Sequence, residues 1–193
     1  MNSQSITTRR SLLGLTGTAL LSAGAIGVLG GNAAFAMAKG KGAVSKGDID
    51  ILNVALGLEH EAIEAYQIGA ESGLLPKAVL DVAVLFQGHH KGHRDALIGA
   101  INQMGGKPVA PKTRAEYSAA LNVASIKGPN DILRLAQKLE KGAANAYIGV
   151  IPSFADKGLA QVAAKLAADE ASHWTALSSA LGDALPSAPL MFG

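Results

Sequence analysis

An internal repeat governs the folding options of this chain. "LEHEAIEAY" at residues 58–66 matches "LEKGAANAY" at 139–147, with Leu, Glu, two Ala and Tyr in register at an offset of 81. A looser match follows at an offset of 80, where His90 and His93 fall on Glu170 and His173. Two matched segments in the same order, twice, predict two similar hairpins related by a pseudo-twofold axis.

The segments read as helices. No run of β-branched residues alternates with polar ones, so strand signals are nearly absent. The first helix begins after "SKGD", with Ser45 or Asp48 as its cap, and runs to about Gly73. Ile51, Leu52, Ala55, Leu58, Ala62 and Tyr66 keep its helical period. After the short turn "SGLLP", Pro76 sits in the first turn of a second helix that runs to about Met104 and stops at "GGKP". Residues 109–129 form a long connection with at most a short helix around Ala115–Leu121. Asn130 is expected to cap a third helix that weakens at Pro152. The fourth runs from about Gly158 to Leu181, and an irregular tail, 183–193, follows. The chain is thus expected to be all-α, with two antiparallel helix hairpins joined by a long crossover. That crossover lets the second and third helices lie parallel.

Residues 1–36 read differently, as a cleaved export signal. Arg9 and Arg10 precede a weakly apolar stretch that ends in "AAFA", a small-x-small cleavage pattern. The pair in "TTRRSLL" resembles a twin-arginine signal, an address read by the export machinery that carries folded proteins across the membrane. An exported, periplasmic protein with no stable membrane anchor is expected. Residues 37–47 would be a flexible leader and 48–182 the bundle. Without the signal, Lys plus Arg falls from 17 to 15 and equals Asp plus Glu at 15. A neutral surface gives no footprint for nucleic acid. There is no cysteine, which removes disulfides, thiolate ligands and a cysteine nucleophile.

The repeated motifs place six side chains at one level. Glu59 lies about 22 Å from the first turn, and His90 and His93 lie about 21–26 Å beyond it on the returning helix, at 1.5 Å per residue. Glu140, Glu170 and His173 occupy the equivalent depth in the second hairpin. Residues three apart share a helix face, so both members of His90/His93 and of Glu170/His173 point inward. Glu59 and Glu140 each lead an apolar stripe, through Ala62 to Tyr66 and through Ala143 to Tyr147. Carboxylates in such a stripe are costly unless paired or bound to a metal. His89 is expected beside the ligands or at the surface. His60, Glu61 and Glu64 are expected to face water, and Trp174 to pack. Tyr66 and Tyr147 are expected in the core with their hydroxyls tied to carboxylates.

"LEHEAIEAY", "HHKGHRDAL", "LEKGAANAY" and "DEASHWTAL" resemble the four motif segments of the ferritin-like di-metal carboxylate proteins. In that pattern one Glu comes from each of two helices and Glu-x-x-His from each of the other two. With a twin-arginine-type signal ahead of it, the chain resembles the exported ferritin-like proteins of bacteria. The resemblance implies a four-helix bundle over about 48–182 and a metal site of Glu59, His90, His93, Glu140, Glu170 and His173. It implies a divalent metal, iron before zinc, manganese or copper, one or two ions per chain. The second helix departs from the pattern, since His90 stands where the family has a glutamate that commonly bridges two metals. The site is therefore open to one metal, to two bound asymmetrically, or to a metal suited to imidazole.

Two classes of function follow. One is a metal-binding bundle, extending to a ferroxidase-like oxidoreductase. The other is a structural or stress-protective bundle without metal chemistry. A homo-oligomer is compatible with either.

Overall fold

The computed structural model describes residues 45–193. The export signal at 1–36 and the leader up to residue 44 lie outside the described residues. Five α-helices follow in order: α1 (Lys46–Glu71), α2 (Lys77–Gln103), α3 (Arg114–Ala120), α4 (Pro129–Val150) and α5 (Lys157–Ala180). There is no strand among the described residues. None of the described helices is long and apolar enough to cross a membrane.

The helix ends show which residues set them. Ser45 caps α1 by accepting the Asp48 N–H at 3.4 Å, so the helix takes in the last two residues expected of the leader. Asp48 has another task. Its buried carboxylate accepts the N–H groups of Ala155 (2.9 Å) and Asp156 (3.1 Å), which fastens the start of α1 to the turn before α5. Pro76 is itself the N-cap of α2. Gly128, not Asn130, caps α4. Pro129 takes the first turn, where its missing N–H is harmless, and the Asp131 carboxylate accepts the N–H groups of Lys127 (2.8 Å) and Gly128 (3.0 Å). Gly105 and Gly182 follow α2 and α5 with φ of 73°, a left-handed conformation that suits glycine at a helix end.

The hairpins α1–α2 and α4–α5 pack most tightly, and α1 meets α4 across the bundle. Residues 59 and 66 of α1 face residues 147 and 140 of α4, so these two helices are antiparallel and α2 runs parallel to α4. The crossover is tied down on the way. Asn53 holds both Lys107 O (3.2 Å) and Val109 N–H (2.8 Å). His60, expected to face water, is buried and its Nε2 lies 3.2 Å from Val109 O. The reason is the crossover itself, which covers that face of α1. Tyr117 of α3 plugs a small cluster with Ala65 and Leu121.

The core is layered. Leu52, Leu56, Leu97, Ile101, Leu159 and Leu166 fill the end that holds the start of α1. Tyr66, Phe86, Leu133, Ala136 and Leu177 form the other. The predicted polar residues lie between these two apolar layers. On every long helix the chain passes from one layer, through charged side chains, into the other.

Candidate metal centre

All six residues singled out from the sequence meet in this middle layer. Glu59, His90, His93, Glu140, Glu170 and His173 are all buried, none more than 8% exposed. They form two overlapping groups whose potential ligand atoms lie within 4.8 Å of one another. One is Glu59, His90, His93 and Glu170, and the other is His90, Glu140, Glu170 and His173. His90 and Glu170 belong to both. They are also pseudo-twofold mates at the offset of 80.

His90 occupies the centre. Its Nδ1 faces Glu59 Oε2 at 2.8 Å and its Nε2 faces Glu140 Oε1 at 3.2 Å. Glu170 Oε1 stands 3.8 Å from the same Nδ1. Both nitrogens thus face carboxylate oxygens, an arrangement that favours the protonated imidazolium when no metal is bound. Burial pushes His90 down, but its contacts with Glu140 and Glu59 outweigh this and raise it to about 11. His93 is likewise lowered by burial and raised more strongly by Glu170 and Glu59, to about 10. Burial pushes Glu59 up, yet His90 and His93 hold it down at about 2. Glu140 is lowered for a similar reason, with His173 and His90 overcoming its burial. Glu170 goes the other way: burial leads and leaves it above its ordinary value despite His173 and His93.

The supports of these groups follow the pseudo-twofold. Tyr66 of α1 donates its hydroxyl to Glu140 Oε1, and Tyr147 of α4 donates to Glu59 Oε1. His93 turns Nδ1 inward, 3.2 Å from Glu170 Oε1, and its outer Nε2 lies 3.2 Å from Asp169 Oδ2. His173 repeats this: Nδ1 lies 3.1 Å from Glu170 Oε2 and the outer Nε2 lies 2.9 Å from His89 Nδ1. Thus the residue just before each inward pair on α2 and α5 holds the histidine of the opposite helix. His89, expected beside the ligands or at the surface, is both, exposed and in contact with His173. Asp169 had not been singled out, although it aligns with His89 at the offset of 80, which was the available signal. Trp174 packs as expected, edge-on to Phe192 with centroids 5.4 Å apart.

Three atoms within the layer lack a hydrogen-bond partner although fully buried: His93 Nδ1, Glu140 Oε2 and Glu170 Oε1. The 3.2 Å approach of His93 Nδ1 to Glu170 Oε1 lacks hydrogen-bond alignment, so neither atom satisfies the other. Unpartnered atoms of this kind, carboxylate oxygens beside an imidazole nitrogen that metal binding would deprotonate, suit a divalent cation. The outer contact of His93 with Asp169 is the arrangement that fixes a metal-ligating imidazole, with one nitrogen held and the other free. The residues present therefore fit a metal. Glu64, expected to face water, is half-buried and sits outside this layer, 3.6 Å from Arg114 Nε.

A four-helix bundle with one Glu on each of α1 and α4 and an inward i, i+3 pair on each of α2 and α5 defines the ferritin-like class of helical proteins. The ferritin-like domain family matches residues 47–183, and the chain belongs to that family. Among solved structures it is similar to a conserved hypothetical protein from Mycobacterium tuberculosis, with a TM-score of 0.58 and 22% identity. That likeness covers 75% of this chain and 96% of the other, and it is one of fold. No curated protein matches the chain.

Proposed function

We propose that this protein is an exported ferritin-like metal-binding protein whose bundle core holds one or two divalent ions, with iron first among the candidates. The observation that carries the reading is the pair of overlapping buried donor groups, each with unpartnered atoms: His93 Nδ1 in one, Glu140 Oε2 in the other, and Glu170 Oε1 on the residue common to both. Glu59, His90, His93 and Glu170 would hold one ion, or His90, Glu140, Glu170 and His173 would; His90 and Glu170 belong to both groups. A bound redox-active ion would supply one-electron chemistry, which is the ground for a ferroxidase-like activity. The chain's own residues do the rest. Tyr66 and Tyr147 fix the carboxylates, Asp169 and His89 aim the imidazoles, and the two apolar layers exclude bulk water. His90 favours ions that accept imidazole, which keeps zinc and copper within the proposal, and the three glutamates keep manganese there.

A second reading has its own support. His90 and His93, raised to about 11 and about 10, already balance the carboxylates as imidazolium groups. A bundle neutralised by protons would stand as a structural or stress-protective protein without metal chemistry. Metal analysis separates the two. Protein recovered from the exported pool should carry on the order of one to two ions per chain, and a chelator should lower its melting temperature. No bound metal and no effect of chelator would favour the second reading.

Periplasmic delivery by a twin-arginine signal belongs to the same proposal. It rests on Arg9 and Arg10 and the cleavage pattern at Ala34 and Ala36. Replacing both arginines by lysine should retain the protein, unprocessed, in the cytoplasm. Unchanged processing would set the export reading aside.

A further inference from the structure

The apolar layer beyond Tyr66 is not filled. A cavity of about 230 Å³ lies there, walled by α1, α2, α4, α5 and the end of the crossover. Small side chains leave the space, among them Ala65, Ala83 and Ala136, where a packed bundle would place larger ones. Its exposed lining is Ala78 and Val82 of α2 with Ala176 and Ala180 of α5, so the mouth opens between these two helices. Its inner end is Tyr66 and Phe86. Both touch the centre. The Tyr66 hydroxyl binds Glu140, and the Phe86 ring stacks on His173 with centroids 4.1 Å apart.

The lining dictates the chemistry of an occupant. No charged side chain lines the cavity, and its one side-chain hydroxyl, on Tyr66, is committed to Glu140. Whatever enters must be uncharged and free of hydrogen-bonding groups along its buried length. The cavity reaches from Ala78 to Phe86 along α2, about 12 Å at 1.5 Å per residue. An apolar cavity of about 150 Å³ takes a benzene ring, so this one takes on the order of nine carbons. A cavity of that length and volume, apolar throughout and open between α2 and α5, fits a single alkyl chain.

We infer that this cavity binds a medium-length alkyl chain, tail inward against the Tyr66–Phe86 wall, with any polar head at the mouth between α2 and α5. The binding itself needs no metal. Its bearing on chemistry rests on the metal reading, because only the two aromatic rings separate the chain end from His90 and His173.

The test uses metal-free protein, so that failure of the pocket and failure of the metal site are read separately. 1-Decanol and decanoate are each titrated by calorimetry. Both should bind saturably, one molecule per chain, with affinities within about tenfold of each other. Ala176→Phe obstructs the mouth from an exposed position, and Ala83→Leu fills the interior. Each should weaken both ligands at least tenfold while leaving the helical circular dichroism unchanged. Absence of saturable binding would overturn the inference. So would equal binding by both variants, or binding of decanoate without 1-decanol, which would make the head group and not the chain the recognised part.

Discussion

Tyr66 of α1 donates its hydroxyl to Glu140 of α4, across the bundle and across the pseudo-twofold axis. Tyr147 returns the contact to Glu59, so each half of the repeat holds the carboxylate of the other. Burial, and then the charge of the partner glutamate, drives both phenols well above their ordinary value, which keeps them protonated as donors. The repeat thus explains why Glu and Tyr recur together seven residues apart in both copies.

Tyr66→Phe and Tyr147→Phe should therefore have similar effects. Each removes a donor from a buried carboxylate oxygen, a loss of about 1–3 kcal/mol, with Tyr66→Phe toward the lower end because Glu140 Oε1 keeps His90 Nε2. Denaturant unfolding of the metal-free variants measures it. A large loss in one and none in the other would break the equivalence.

Asp169 and His89 should act on metal affinity through the histidines they hold. Asp169→Asn and His89→Ala are each expected to weaken metal binding by about 10–100-fold with little change in helix content. Competition with a chromophoric chelator reads the affinity. Full affinity in both variants would show that the outer contacts do not aim the ligands.

The metal-free protein should be most stable in mildly acid solution. His90 and His93 rise from an ordinary 6.5 to about 11 and about 10, so their stabilisation is complete below about pH 6.5 and is lost as pH rises through those values. His173 is also raised and adds to the loss above about pH 6.5, while Glu170, raised from 4.5, adds a loss that begins above about pH 4.5. Glu59 falls from 4.5 to about 2, so its stabilisation is complete above about pH 4.5 and is lost as pH falls toward 2. Thermal melts of chelated protein should peak between about pH 4.5 and 6.5 and decline toward pH 9. A midpoint that rises steadily from pH 6 to 9 would contradict the imidazolium picture.

His90→Glu should restore the four-carboxylate pattern of the family. It removes the shared imidazolium and adds a group that bridges two ions, so metal content should rise toward two ions per chain. Elemental analysis checks this. If the unaltered protein carries one ion, a variant that also stops at one would show that position 90 does not decide the second site.

The fold and the site were legible because both are written in short spacings. Glu59 and Glu140 sit in apolar stripes that a helix must bury, and the i, i+3 pairs on α2 and α5 have one inward face. Turn lengths then set the depth of all six residues. What escaped was tertiary. His60 looks like a wet-face residue until the crossover lies over it and Val109 O reaches its ring. Asp169 looks like an ordinary surface acid beside Glu170, and only the approach of α2 gives it His93 to hold. Gly128 displaced Asn130 as a cap because Pro129 begins the helix and the Asp131 carboxylate accepts the N–H groups of Lys127 and Gly128. The cavity beyond Tyr66 leaves no pattern at all, since an alanine that opens a space reads the same as one that packs.

The most direct test of a metal in this core is elemental analysis of Glu170→Ala with His173→Ala beside the unaltered protein. Glu170 belongs to both donor groups and His173 to one. The unaltered protein should carry on the order of one to two ions per chain and the double variant none, with helical content retained in both. A double variant that keeps its full metal content would show that the centre between the two apolar layers is not where the metal is held.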